Sequence, residues 1–231
     1  MANKLVSAMI AEAIGVFGLC FVGILAIHEL GSVPGGLIGI ALAHGLILAI
    51  MISIFAATSG GHHNPAVTVG LLVGGKISGA EAVGYIAAQC VGGVLAGLAV
   101  MMMFPNGAAV VLNGTPAMAA GGSITVAAGC LAEAITTFFL VTAVWGTAVD
   151  PRAPKIGGFG IGLTVAADIL AIGPLTGGAM NPARAFGPAV AASLVGGKYE
   201  WGTHWVYWVG PIAGGIVASL IYKHFMWPKK G

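Results

Sequence analysis

The chain has 231 residues, 58% of them hydrophobic and 7% charged, with a mean hydropathy of +1.00 and a net charge of +2. A water-soluble domain carries roughly a quarter charged residues, so these values exclude one and place the chain in a bilayer, while its scattered basic residues exclude a nucleic-acid surface. Cys20, Cys90 and Cys130 are odd in number and sit in apolar segments, which predicts free thiols and neither a disulfide framework nor a metal site.

A hydrocarbon core about 30 Å thick is crossed by about 20 helical residues. The first stretch of that length, roughly 5–27, carries Glu12 and lacks a cleavage site, so it reads as a retained span and not a signal peptide. The second, roughly 36–57, carries His44 and runs into "SGGHHNPAVT" at 59–68. After Asn64, "PAVTVGLLVGG" can be helical for about ten residues, or about 15 Å, half of the core. Such a helix enters the membrane without crossing it. Asparagine suits the N-cap and proline the first turn, so Asn64-Pro65-Ala66 marks where the half-helix begins.

The third span, roughly 79–103, is followed by a long connection containing "NGTPAMAAG" and by a fourth span, roughly 124–148, with Glu133. The fifth, roughly 156–173, carries Asp168 and Ile169. A second interruption, "TGGAMNPARA" at 176–185, starts another half-helix at Asn181-Pro182-Ala183, and the sixth span covers roughly 203–226.

The two halves resemble each other. "AEAIGVF" around Glu12 returns as "AEAITTF" around Glu133, "YIAAQCVGG" from Tyr85 as "YWVGPIAGG" from Tyr207, and Asn64 as Asn181, all at nearly equal offsets. Three spans per half is an odd number, so the second copy is inserted upside down. The expected architecture is an all-α membrane protein: six transmembrane helices plus two re-entrant half-helices in an inverted three-helix repeat. It forms one domain over 1–231, with repeats at about 1–110 and 120–231. Lys4, Lys76, Arg152, Lys155, Lys223, Lys229 and Lys230 fall on one side against Lys198 on the other, which predicts that both termini are cytoplasmic.

Inversion brings the half-helices in from opposite faces, so that their N-termini meet near the midplane. Non-helical backbone at that depth must be buried in protein or line a watery cavity. The loops therefore predict a file of carbonyl oxygens from Gly60, Gly61, His62, His63, Gly177, Ala179 and Met180.

Two "NPA" triplets at corresponding places of an inverted repeat, with the glutamates of "AEAIG" and "AEAIT", resemble the aquaporin (major intrinsic protein) family over essentially the whole chain. The resemblance implies a right-handed bundle assembled as a homotetramer, each protomer with its own pore for water or small neutral solutes, without a cofactor. Converging helix N-termini, each worth about half a positive charge, would repel cations. The side-chain amides of Asn64 and Asn181, left free by capping, would donate to a passing water and interrupt proton relay. Glu12 and Glu133 need partners, since an unpaired carboxylate in a span costs at least about 2.5–3.5 kcal/mol. A proton relay is one reading; the resemblance implies the other, in which each accepts hydrogen bonds from loop backbone or from His62. Asp168, where the members it most resembles carry asparagine, is expected to be protonated or paired between helices.

By position relative to the motifs, the resemblance also implies an outer constriction of His44, Ile169, Gly178 and Arg184, with Arg184 paired to carbonyls of its loop. Ile169 stands where water channels carry histidine and Gly178 removes a side chain, a set similar to that of the ammonia-permeable tonoplast intrinsic proteins. "ADILAIGPLTGGAMNPARAFGPAV" and "HWVYWVGP" add to the similarity. The outer-loop histidine of those proteins falls here near Pro116. Ala185 occupies the place where glycerol facilitators have aspartate, which makes an aquaglyceroporin-like channel the weaker alternative. A secondary transporter coupling through Glu12, Glu133 and Asp168 is a further one. The filter points to a vacuolar membrane, the short termini to a prokaryotic plasma membrane. Nucleotide loops, metal-ligand clusters and catalytic triads are missing from the sequence, so an enzyme is not expected.

Overall fold

A computed structural model describes residues 2–119, 121–154 and 156–228. Of the basic residues used to orient the chain, Lys155, Lys229 and Lys230 lie outside the described residues; Lys4, Lys76, Arg152, Lys198 and Lys223 are exposed. Helices in chain order are α1 (Ala2–Leu30), α2 (Gly36–Ser59), α3 (Pro65–Val73), α4 (Gly79–Met101), α5 (Gly107–Asn113), α6 (Val126–Val144), α7 (Gly157–Thr176), α8 (Pro182–Leu194) and α9 (Val206–Ile221). Wider π-helical turns extend α6 to Val149 and α9 to Met226. Six helices among the described residues are long and apolar enough to cross a membrane, and they match the six expected spans to within a few residues at each end. The fifth span runs past its expected end to Thr176, because Pro174 is accommodated inside the last turn and the helix stops only where Gly177 turns left-handed at φ 82°. The short α5 was not anticipated.

The half-helices are short for identifiable reasons. Asn64 caps α3 by accepting from Ala66 N at 2.8 Å, Pro65 opens the first turn, and the glycines at 74 and 75 end it after nine residues. Asn181 caps α8 by accepting from Ala183 N and Arg184 N at 3.1 and 3.2 Å. At 1.5 Å per residue, nine residues reach about 14 Å and the 13 of α8 about 20 Å, so neither crosses.

Packing follows the repeat. Helix α1 lies against α4 and α2, α6 against α9 and α7, and α2 against α7. Each half-helix crosses into the other half, α3 onto α9 and α8 onto α4. Small residues make the crossings close, as expected where lipid supplies no hydrophobic drive between helices. A Cβ on Gly92 would come within 2.2 Å of Ala13 O, and one on Gly214, its counterpart in the second half, within 2.0 Å of Ala134 O. Gly45 and Gly162 face each other's carbonyls across the α2–α7 contact in the same way. These crossings hold α1 and α6, and hence Glu12 and Glu133, at fixed distance behind the two loops.

Candidate functional site

Both loops are built on the same hydrogen bonds. In the first, Glu12 Oε1 accepts from Ser59 Oγ at 2.6 Å and His62 N at 2.9 Å, while Oε2 accepts from His63 N at 2.5 Å and Gln89 Nε2 at 2.7 Å. In the second, Glu133 Oε1 accepts from Thr176 Oγ1 at 2.7 Å and Ala179 N at 2.9 Å, and Oε2 from Met180 N at 2.6 Å. Tyr85 donates to Ser59 O and Tyr207 to Thr176 O, at 3.0 and 2.7 Å. Each carboxylate is fully buried. A buried carboxylate surrounded by three or four donors is satisfied, whereas removing it leaves those donors orphaned at about 1–3 kcal/mol each. His62 meets Glu12 through its backbone; its ring turns instead to Thr68 Oγ1 at 3.1 Å.

The glutamates hold a backbone that ordinary residues avoid. His63 and Met180 sit at φ 47° and 49°, a left-handed conformation costing roughly 1–2 kcal/mol for a residue with a Cβ. That twist carries each carbonyl across to the opposite loop. Asn64 Nδ2 donates to Met180 O and Asn181 Nδ2 to His63 O, both at 2.8 Å. Two expectations are corrected here. The carbonyls of His63 and Met180 each accept from the opposite asparagine, and neither residue lines the three cavities described below, which are bordered instead by Gly60, Gly61, His62, Gly177 and Ala179. The asparagine amides are not wholly free either: capping takes Oδ1, the cross-loop bond takes one N–H, and one N–H remains on each. Pro65, Ala66, Pro182 and Ala183 are buried in the first turns of α3 and α8 and set their direction.

Two wide cavities and a narrow one lie along this contact. The first, about 330 Å³, opens beneath the first loop and is lined by Gly60, Gly61, His62, Asn64 and, at its rim, Lys76. The second, about 380 Å³, is lined by His44, Ile169, Pro116 and Gly177. Between them a space of about 20 Å³ is lined by His44, Ile169, Gly178, Arg184, Asn64 and Asn181. It shares Asn64 and Leu48 with the first cavity and His44 and Ile169 with the second, so the three lie in succession. A site needs roughly 10–15 Å³ to hold a water, so the neck has room for about one.

The four residues expected at the constriction are thus brought together. His44 Nδ1 donates to Ile40 O at 2.8 Å, which leaves Nε2 as an acceptor facing Arg184 Nη2 at 3.3 Å. That same nitrogen donates to Gly114 O at 2.7 Å. The partner of Arg184 is therefore a carbonyl of the segment after α5, where one from its own loop was expected. Its Nη1 is buried without a protein partner. Asp168 is not paired: Oδ2 is buried without a hydrogen-bond partner, and no cation lies within ion-pair distance of it among the described residues.

The profile of the family described as major intrinsic protein matches residues 2–222. The chain belongs to the major intrinsic protein, or aquaporin, family. It is 43% identical over 227 residues to aquaporin TIP4-4 of Zea mays, covering 94% of this chain and 85% of that one. It is 42% identical over 238 residues to the probable aquaporin TIP3-2 of Arabidopsis thaliana, covering 96% and 85%. The fold matches that of the aquaglyceroporin from Plasmodium falciparum with a TM-score of 0.84 over 96% of this chain and 97% of that one, at 24% identity. This aquaporin-family chain is accordingly an integral, multi-pass membrane protein of a channel family and not an enzyme.

Sequence reasoning left several functional side chains unassigned. Ser59 and Thr176 stand at matching places in the two quoted motifs, and Tyr85 and Tyr207 in the quoted repeat, so the signal for them was on the page. Gln89, which reaches Glu12 and Thr68, has no counterpart in the second half and gave none.

Proposed function

We propose that the protein is a passive channel for water and neutral ammonia that rejects ions and protons. The observation that carries this reading is the 20 Å³ neck, bordered by one spare N–H on each of Asn64 and Asn181, the unpartnered Nη1 of Arg184, and the apolar wall of Ile169. Donors without acceptors hold a permeant by its oxygen or nitrogen, so a water at the asparagines cannot pass a proton along a continuous chain. The N-termini of α3 and α8 and the guanidinium of Arg184 add positive potential where a cation is already stripped of water. Gly178 contributes no side chain and Ile169 no hydrogen bond, which favours a small neutral amine beside water.

The glutamates take a structural role in this reading. Glu12 and Glu133 spend their oxygens on the loops and border none of the three cavities, which argues against proton-coupled transport. A glycerol-conducting channel would need a wider neck. We further infer a homotetramer with both termini cytoplasmic; the plant relatives support the vacuolar membrane as its host and lend nothing to a prokaryotic plasma membrane.

Water, ammonia and glycerol permeabilities measured by stopped flow on one batch of proteoliposomes test this. Water is expected to pass rapidly with a low activation energy, ammonia detectably and glycerol slowly, without dependence on a pH or sodium gradient; gradient-driven flux would mean a carrier. Ile169→His is expected to reduce ammonia flux severalfold more than water flux. Equal loss of both would remove Ile169 from the constriction.

A further inference from the structure

Behind the second cavity lies a chain of hydrogen bonds that ends on its wall, at Pro116. The imidazole of His204, just before α9, is buried among the rings of Trp201, Tyr199 and Phe186, whose centroids lie 4.9, 5.5 and 6.0 Å away. An indole N–H can only donate. The 3.3 Å contact from Trp208 Nε1 therefore makes His204 Nε2 an acceptor and puts the ring's proton on Nδ1. That proton points to Tyr199 Oη at 3.1 Å, which leaves the phenolic hydrogen for Pro116 O at 3.0 Å. Every donor in the series is assigned, and the direction runs from Trp208 through His204 and Tyr199 to Pro116.

Pro116 is an unusual place for such a chain to end. Its segment belongs to no helix, and besides the bonds that tie Gly114 and Thr115 back to α5, the structure holds it to the rest of the protein at three points. Gly114 O accepts Arg184 Nη2 at 2.7 Å, Pro116 O accepts Tyr199, and Ala119 N donates to Leu175 O at 3.0 Å. Pro116 lies so close to the second loop that a Cβ on Gly177 would come within 2.8 Å of its Cα. The middle tie sits two residues from the carbonyl that orients Arg184.

We propose that Tyr199 and His204 are positioning residues for the constriction: acting through Pro116, they hold the outer segment whose Gly114 carbonyl aims Arg184 across the neck. Neither side chain borders the neck. The inference rests on the reading that His44, Ile169, Gly178 and Arg184 select the permeant. If so, loosening the tie lets the guanidinium retreat and widens the passage for a solute larger than water while leaving water flow nearly unchanged.

The test measures urea and water permeabilities on the same proteoliposomes for the wild type, Tyr199→Phe, His204→Phe and the double variant. Tyr199→Phe deletes one oxygen from a half-buried ring and so preserves the fold. Both single variants are expected to raise the urea-to-water ratio about threefold or more, the scale of one lost hydrogen bond. The double variant should do no more than either, because the bonds act in series. Thr125→Ala, which removes the cap of α6 and touches neither loop, should leave the ratio unchanged. An unchanged ratio in Tyr199→Phe, proportional loss of both fluxes, or additive effects would overturn the proposal; should His204→Phe fail to assemble, Tyr199→Phe alone decides. A wild-type protein that passes urea as freely as water would instead refute the selective neck itself, so the two failures are distinguishable.

Discussion

In the first re-entrant loop Gly60, Gly61, His62 and His63 precede Asn64; in the second Gly177, Gly178, Ala179 and Met180 precede Asn181. The backbones are nearly interchangeable, down to the left-handed residue before each asparagine and the glutamate that clamps it. The side chains are not. Three residues past the asparagine the second loop places Arg184 in the neck, whereas the first places Val67 along the first cavity. The clamp also differs, since Glu12 has a fourth donor in Gln89 that Glu133 lacks. What repeats is the machinery that orients helix ends, and what differs is the surface that meets the permeant. On the proposed function, repulsion of ions would belong to the pair and choice among neutral solutes to the second loop.

The largest expected effect bears on the shared part. Glu12→Gln and Glu133→Gln each replace a carboxylate that accepts from several buried donors by an amide that can accept at one oxygen only. Destabilisation of about 4 kcal/mol for Glu12→Gln and about 3 kcal/mol for Glu133→Gln is expected. Thermal unfolding in detergent checks this, and the reverse order would mean that Gln89 adds nothing to the first clamp.

The next effect bears on the difference. Arg184→Val gives α8 the residue α3 carries, and should raise urea permeability relative to water roughly tenfold, as expected when a charged donor leaves a narrow site. Val67→Ala, at the matching place in α3, should leave that ratio alone. If both variants shift it alike, the two loops contribute equally to selection.

Much of this comparison could be read from the sequence. Asn64 and Asn181, each followed by Pro-Ala, announce helix starts by local chemistry alone, and the glutamates announce partners because a carboxylate cannot stand unpaired in lipid. That the half-helices meet was legible from the inverted repeat, but the detailed contacts between distant segments were not. The cross-loop bonds from Asn64 to Met180 and from Asn181 to His63 also require the left-handed turn at His63 and Met180, which neither residue type announces. The tie from Arg184 to Gly114 and that from Tyr199 to Pro116 require the path of the outer connection. Helix α5, seven residues in "GAAVVLN" whose N-cap makes no side-chain bond, is too short for periodicity to separate it from the loop around it.

The smallest effect is expected at the far ends of the first helix of each half. Glu29 of α1 is exposed, whereas Asp150, past the end of α6, is bound by Arg152 Nη2 at 2.6 Å and by Tyr222 Oη at 3.0 Å. These bonds, chiefly that from Arg152, hold the Asp150 carboxyl well below the usual carboxylate range. A depressed carboxyl pKa contributes stability that is complete above about pH 4 and is lost as pH falls through the folded-state value. Asp150→Asn should therefore lower Tm slightly at pH 7, with the gap from wild type closing at strongly acidic pH, while Glu29→Gln changes nothing. A gap that persists unchanged at low pH would show that the charge of Asp150 is immaterial.

The most direct test is to record osmotic water permeability and ionic conductance on the same purified protein, in vesicles and in a planar bilayer, under potassium and proton gradients. Two half-helices meeting at Asn64 and Asn181 should give rapid water flow with no protein-dependent current. Steady current carried by either cation through the wild type would contradict the account.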